Sequence, residues 1–182
     1  MRLLLVVLAS FILSGCATKV TSLKSDKDKI STNGTGYLLI GVETNRDLKS
    51  IRISGPDNIL LSSLDLRQGS NFILVDLSAG EYVIEKVELN NYWHVKMEDE
   101  EYWNIKILPG KINYVGHLYI ASHGFWQVSY HTELVNKSSY ALEFLEEKFP
   151  NILTKREMHY GGPGTDTFFK FAGQSLNGVL PK

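Results

Sequence analysis

Leu77-Ser78-Ala79-Gly80-Glu81-Tyr82-Val83-Ile84 places a glycine turn immediately before a strand, and about thirty residues later Leu108-Pro109-Gly110-Lys111-Ile112-Asn113-Tyr114-Val115 repeats the arrangement. Glycine reaches φ > 0 without steric cost, and Pro109 presets the first corner of the second turn. Beyond that turn a period of two divides the chain between two faces. Ile112, Tyr114, Gly116, Leu118 and Ile120 share one, and Asn113, Val115, His117 and Tyr119 share the other. One of these faces must be core.

Upstream the same period recurs. Tyr37-Leu38-Leu39-Ile40-Gly41-Val42 is a strand rich in β-formers, ended by Thr44-Asn45-Arg46-Asp47. Ile51 and Ile53 alternate around Arg52 before the turn Gly55-Pro56-Asp57-Asn58; residues 59–66 carry a further short strand, and Gly69-Ser70 turns the chain into Phe72-Ile73-Leu74-Val75. Short strands with turn signals at this spacing predict a mainly β protein, a single antiparallel β-sandwich within residues 36–172.

Downstream, after Trp126-Gln127-Val128-Ser129-Tyr130, the period changes. Asn136 is placed to cap an appended α-helix near residues 138–149, with Ala141, Leu142, Leu145 and Phe149 on one stripe and Pro150 as its stop. The helix is expected to pack across one end or edge of the sheet. Ile152-Leu153 and Phe168-Phe169-Lys170-Phe171 are read as a last strand or as aromatic plugs. Residues 160–165 are expected to form a mobile loop, and residues 173–182 a poorly ordered tail.

The two glycine turns carry a family resemblance. A leucine, a small residue or proline and a Gly-x-Tyr, followed by a Pro-Gly-x-x-x-Tyr strand, resembles the prealbumin-like or carboxypeptidase-regulatory-like sandwich domains of bacterial lipoproteins of unknown function. The similarity covers residues 36–130, about half of the chain. It implies an Ig-like or prealbumin-like sandwich and carries over no catalytic residue.

The amino-terminal segment has one cation, Arg2, then an apolar run at residues 3–9 continued by Phe11, Ile12 and Leu13. That run is too short for a resident transmembrane helix and has the layout of a secretory signal. Leu13-Ser14-Gly15-Cys16 follows, and it resembles the lipobox of bacterial lipoproteins. The resemblance implies that residues 1–15 are a signal peptide cut before Cys16. It also implies that Cys16 carries a thioether-linked diacylglycerol and an amino group acylated by a chain such as palmitate. Each buried methylene contributes roughly 0.8 kcal/mol, so two or three such chains would anchor the protein to a membrane. Within that family Ala17, where an aspartate would signal inner-membrane retention, implies sorting to the outer membrane, facing the periplasm. Cys16 is the chain's only cysteine, which leaves no disulfide framework. Residues 16–35 have few apolar side chains, Val20, Leu23 and Ile30 among them, and are expected to be a flexible tether.

Removing residues 1–15 from the 182 leaves 167, enough for one domain. The full chain has 19 basic and 20 acidic residues; without Arg2 the balance is 18 against 20, a formal charge near −2. Phosphate binding needs a concentrated basic face, so this balance argues against nucleic acid as a partner.

No catalytic set, cofactor motif or metal signature stands out. The five histidines, His94, His117, His123, His131 and His159, match no compact ligand spacing. His117, His123 and His131 lie on or beside neighbouring strands, and a histidine cluster serving an envelope hydrolase or metal-dependent enzyme is the alternative reading. Ser122-His123-Gly124 lacks the flanking glycines of a nucleophile elbow. The acidic run Glu98-Asp99-Glu100-Glu101 lacks calcium-loop spacing and reads as a solvated tip. It is flanked by Tyr92-Trp93 and Tyr102-Trp103, residue types that anchor interfaces and stack on sugars. The sequence therefore predicts a non-enzymatic, lipid-anchored envelope domain that engages an envelope protein or glycan through Tyr92, Trp93, Tyr102 and Trp103.

Overall fold

The computed structural model describes residues 17–30, 33–98, 100–124 and 129–176. The signal-like run and Cys16 lie outside the described residues, as do Asp99 and residues 125–128 and 177–182. The chain folds as two packed β-sheets with helices over the outer face of one of them. The first sheet takes β1 (Thr18–Val20), β4 (Ile59–Ser62), β3 (Ser50–Ser54) and β6 (Gly80–Glu88) in that order. The far edge of β6 is shared by β7 (His94–Lys96) and β8 (Asn104–Ile107). The second sheet runs β10 (Ser129–Val135), β9 (Ile112–His123), β2 (Thr35–Thr44), β5 (Gly69–Ser78), with β11 (Met158–Tyr160) parallel to the first part of β9. The helices are α1 (Glu100–Trp103), α2 (Ser138–Lys148), α3 (Pro150–Lys155) and α4 (Phe168–Leu176). Among the described residues no helix is long and apolar enough to cross a membrane.

Two apolar cores follow from this layering. Leu38, Ile40 and Val42 of β2 and Leu118 of β9 face the first sheet, in one core with its Ile53 and Ile84. Tyr37 and Leu39 face the other way, against Ala141 and Leu145 of α2, Ile152 of α3 and Phe169 of α4. A strand covered on both faces needs no polar alternation, which is why residues 37–42 are a continuous apolar run.

The second core corrects several expectations. The helical layer lies across the face of the second sheet, not its edge. Pro150 does stop α2, but it also opens α3, where a missing N–H costs nothing at the first helical position. Residues 168–171 form no strand; they begin α4, whose aromatic side chains plug the second core through the buried Phe169. Residues 160–165, expected to be mobile, are pinned at one end: Gly161 donates to Tyr114 and accepts from Lys106. The two-face division of β9 also fails midway. A bulge shifts the β2–β9 register between Leu39 and Gly41, and Gly116 there has φ +117°. Ile112 and Tyr114 thus face the helices, whereas Leu118 and Ile120 face the sandwich core with Val115.

The largest departure is the segment expected to be a tether. Residues 17–30 lie against the domain as a strap. Thr18, Lys19 and Val20 pair with Ile59, Leu60 and Leu61. Ser22 Oγ accepts from Leu74 N–H (3.1 Å), and Leu23 N–H donates to Leu74 (2.8 Å). Asp26 accepts from the amides of Asn151 (2.7 Å) and Ile152 (2.9 Å), and Asp28 pairs with Arg156 (2.7 Å). Polar side chains with specific partners hold what apolar burial alone would not.

The strand registers also define two ends of the sandwich. One carries the turns at 55–58, 78–80 and 108–111, together with Thr18, whose N–H donates to Asn58 (2.8 Å). The other carries the turns at 45–49 and 89–93 and the start of β5.

Candidate functional site

The connection between β6 and β7 is a short, tightly bonded tip. Asn90 Oδ1 accepts from the amides of Tyr92 (2.8 Å) and Trp93 (2.9 Å), and Leu89 N–H closes the turn on the Trp93 carbonyl (3.0 Å). Because the amides are bound to Asn90, the side chains of Tyr92 and Trp93 project from a fixed backbone. Tyr92 is 88% exposed and Trp93 43%.

The other two aromatics proposed from the sequence are placed differently. Trp103 is 6% exposed and belongs to the core between the sheets. Tyr102 packs edge-on against it at 4.9 Å, donates its hydroxyl to the Leu134 carbonyl (3.0 Å) and accepts from Leu134 N–H (3.2 Å). It ties α1 to β10. The four residues therefore form no single patch. Tyr92 and Trp93 remain as the exposed pair, with a phenol and an indole available for ring stacking and polar contact.

The histidines do not converge. The β9–β10 register sets His131 opposite Ala121, His123 opposite Ser129 and His117 opposite Val135. His123 and His131 are exposed while His117 is buried. Among the described residues no group of three histidine, cysteine or acidic side chains could hold a metal.

A pair that the sequence reading did not single out lies on the helix-facing side of the second sheet. His117 Nε2 is 3.2 Å from Ser70 Oγ on the exposed start of β5, and its ring packs edge-on against Phe72 at 5.1 Å. Gly41 makes the room: a Cβ there would overlap the His117 ring. An isolated glycine within a strand pattern is the signal that could have found this close approach. Burial, reinforced by the Lys137 charge and opposed by Glu43, brings the imidazole down to about 4. Glu43 is itself engaged by Lys137 at 2.8 Å, and His117 Nδ1 has no partner among the described residues. A base of this weakness, with no acceptor to orient its ring, is poorly suited to activating a serine. The arrangement packs the sheet.

Comparison with protein-family models, with curated proteins and with solved structures finds no match for this chain.

Proposed function

We propose that this protein is a lipid-anchored component of a bacterial cell envelope. Acyl chains on Cys16 hold it to the membrane, and Tyr92 and Trp93 engage an envelope protein or glycan. The observation that carries the recognition part is the exposure of two adjacent aromatic side chains on a turn locked by Asn90, since large apolar rings left in water at a rigid tip favour interface formation. The reading of the anchor rests on the apolar run and Leu13-Ser14-Gly15-Cys16. Its sorting to the periplasmic face of an outer membrane rests on Ala17 alone.

The test is photocrosslinking in intact envelopes, with a photoreactive residue at Tyr92 and, as a control for the buried ring, at Trp103. The expected result is a discrete protein or glycan adduct at position 92, lost in Trp93→Ala. Tyr92→Ala and Trp93→Ala should leave the thermal midpoint nearly unchanged, since surface substitutions stay within about 0.5 kcal/mol. No adduct from position 92 in folded, membrane-bound protein would rule out the hairpin as the recognition surface.

A further inference from the structure

We infer that the folded domain rests directly on the bilayer surface, with the sandwich end formed by the turns at 55–58, 78–80 and 108–111 against the lipid headgroups. This rests on acylation of Cys16 as proposed above. The sequence alone suggested a flexible tether at residues 16–35; the docked strap removes it. Thr18 is already bonded to Asn58 and paired with Ile59. Only Ala17 lies between Cys16 and Thr18, and two Cα–Cα steps span at most about 7 Å. The chain has no slack between the acylated residue and the fold.

Strand direction selects the end. β1 runs parallel to β4, away from the 55–58 turn, so the chain meets the domain at that turn and proceeds toward the opposite end. The end itself is firm. Asp57 accepts from Ser78 N–H (2.6 Å), Ser78 Oγ (3.1 Å) and the Tyr82 hydroxyl (3.2 Å), fastening the 55–58 turn to the 78–80 turn. Asn113 braces the third turn: its Oδ1 accepts from Leu108 N–H (2.9 Å), and its Nδ2 donates to the Leu108 and Lys111 carbonyls (3.1 and 3.2 Å).

Its chemistry suits a headgroup layer. None of the large exposed hydrophobic side chains lies on these turns, so nothing here is built to insert. Near this end Lys106 pairs with Glu81 and Lys111 with Glu157. The acyl chains would supply the adhesion and the turns a flat contact. β6 then sets the aromatic tip apart from the bilayer, since nine residues at about 3.3 Å each span roughly 30 Å.

The experiment uses the full-length lipidated protein in phosphatidylethanolamine/phosphatidylglycerol vesicles doped with a headgroup-nitroxide lipid. A fluorophore is placed by amber suppression at Asn58 or, at the opposite end, at Gln68. Intact mass of the wild type and of Cys16→Ser reports the acyl group independently. The inference expects a diacylglyceryl mass on the wild type only, loss of fluorescence at position 58 and none at position 68. It also expects recovery at position 58 when a dozen Gly/Ser residues, reaching about 20 Å, are inserted between Ala17 and Thr18. A lipidated protein with equal quenching at both positions, or with no recovery after the insertion, overturns flush docking and leaves the anchor standing. A wild type without the lipid mass overturns the anchor and flush docking with it.

Discussion

At the scale of single residues, the clearest dependence is that of His117 on Gly41. The two face each other across β2 and β9, and the imidazole occupies the volume a Cβ would take. Gly41→Ala should destabilise the fold by about 1–3 kcal/mol, the usual cost of overpacking. Truncating the ring should relieve part of that, so the double variant Gly41→Ala/His117→Ala is expected to be more stable than the sum of its single costs allows. A double-mutant cycle by urea denaturation measures this coupling, and strict additivity would show that the two positions do not interfere. Glu88 gives the pH dependence. Hydrogen bonds from Lys86, Lys49 and Ser50, against the opposing effect of burial, hold its carboxyl at about 2, below the ordinary 4.5. A carboxyl whose folded value is depressed stabilises fully above its unfolded value, and that contribution disappears as protons bind to the folded state. The Glu88 contribution should therefore be complete above pH 4.5 and lost as the pH falls toward 2. Glu88→Gln should flatten the slope of the urea midpoint across that window, and parallel slopes for both proteins would contradict the assignment.

At the scale of elements, what the sequence revealed depended on whether a pattern stayed in step. The strand around Ile51 and Ile53 was legible because its apolar residues keep one parity, and the glycine turns before β6 and β9 were legible from Gly80 and Pro109-Gly110. β9 was misjudged because one extra residue at the bulge exchanges its faces, and period-two reasoning has no means of placing such an insertion. The strand alternative for the aromatic run at 168–171 failed for a different reason. Consecutive phenylalanines suggest a strand by propensity, whereas packing of Phe169 on Tyr114 (6.1 Å) selects a helix. Of the four aromatics proposed as a site, the pair beside Asn90 is exposed and Trp103 is buried, a difference that residue type alone does not show. The bulge yields its own test. Gly116 has φ +117°, and a Cβ there would come within 2.9 Å of Leu134. Gly116→Ala should cost about 1–3 kcal/mol, read as a fall in the denaturation midpoint. A neutral substitution would mean that the strand can realign without the bulge.

At the scale of the whole molecule, the strap is what joins the layers, and it was invisible to composition. Counting apolar residues marks 16–35 as a flexible tether, because that count weighs burial and ignores directed hydrogen bonds. The strap succeeds by supplying groups the rest of the chain lacks. α3 has no side-chain cap of its own, and Asp26, 125 residues away from Asn151, accepts from its first-turn amides instead. Burial alone would raise the Asp28 carboxyl. Hydrogen bonds from Arg156 and Tyr37 and the Arg156 charge hold it below its ordinary value, and Arg156 also donates to the Ile30 carbonyl (2.8 Å). The strap thereby links the edge strand β4 to β5, α3 and β2. Breaking a partly buried pair from one side leaves the other charge without its partner, so Asp26→Ala/Asp28→Ala should loosen the strap well before the sandwich itself unfolds. Native-state trypsin digestion distinguishes the two arrangements, because Lys24, Lys27 and Lys29 all lie within this stretch. In the wild type these sites should be cut slowly, at a rate that follows opening of the docked chain. In the double variant they should be cut first, releasing the amino-terminal segment while a stable core remains. Rapid cleavage of the wild type at the same three lysines would mean that the segment is detached in solution, and flush docking on the membrane would fail with it.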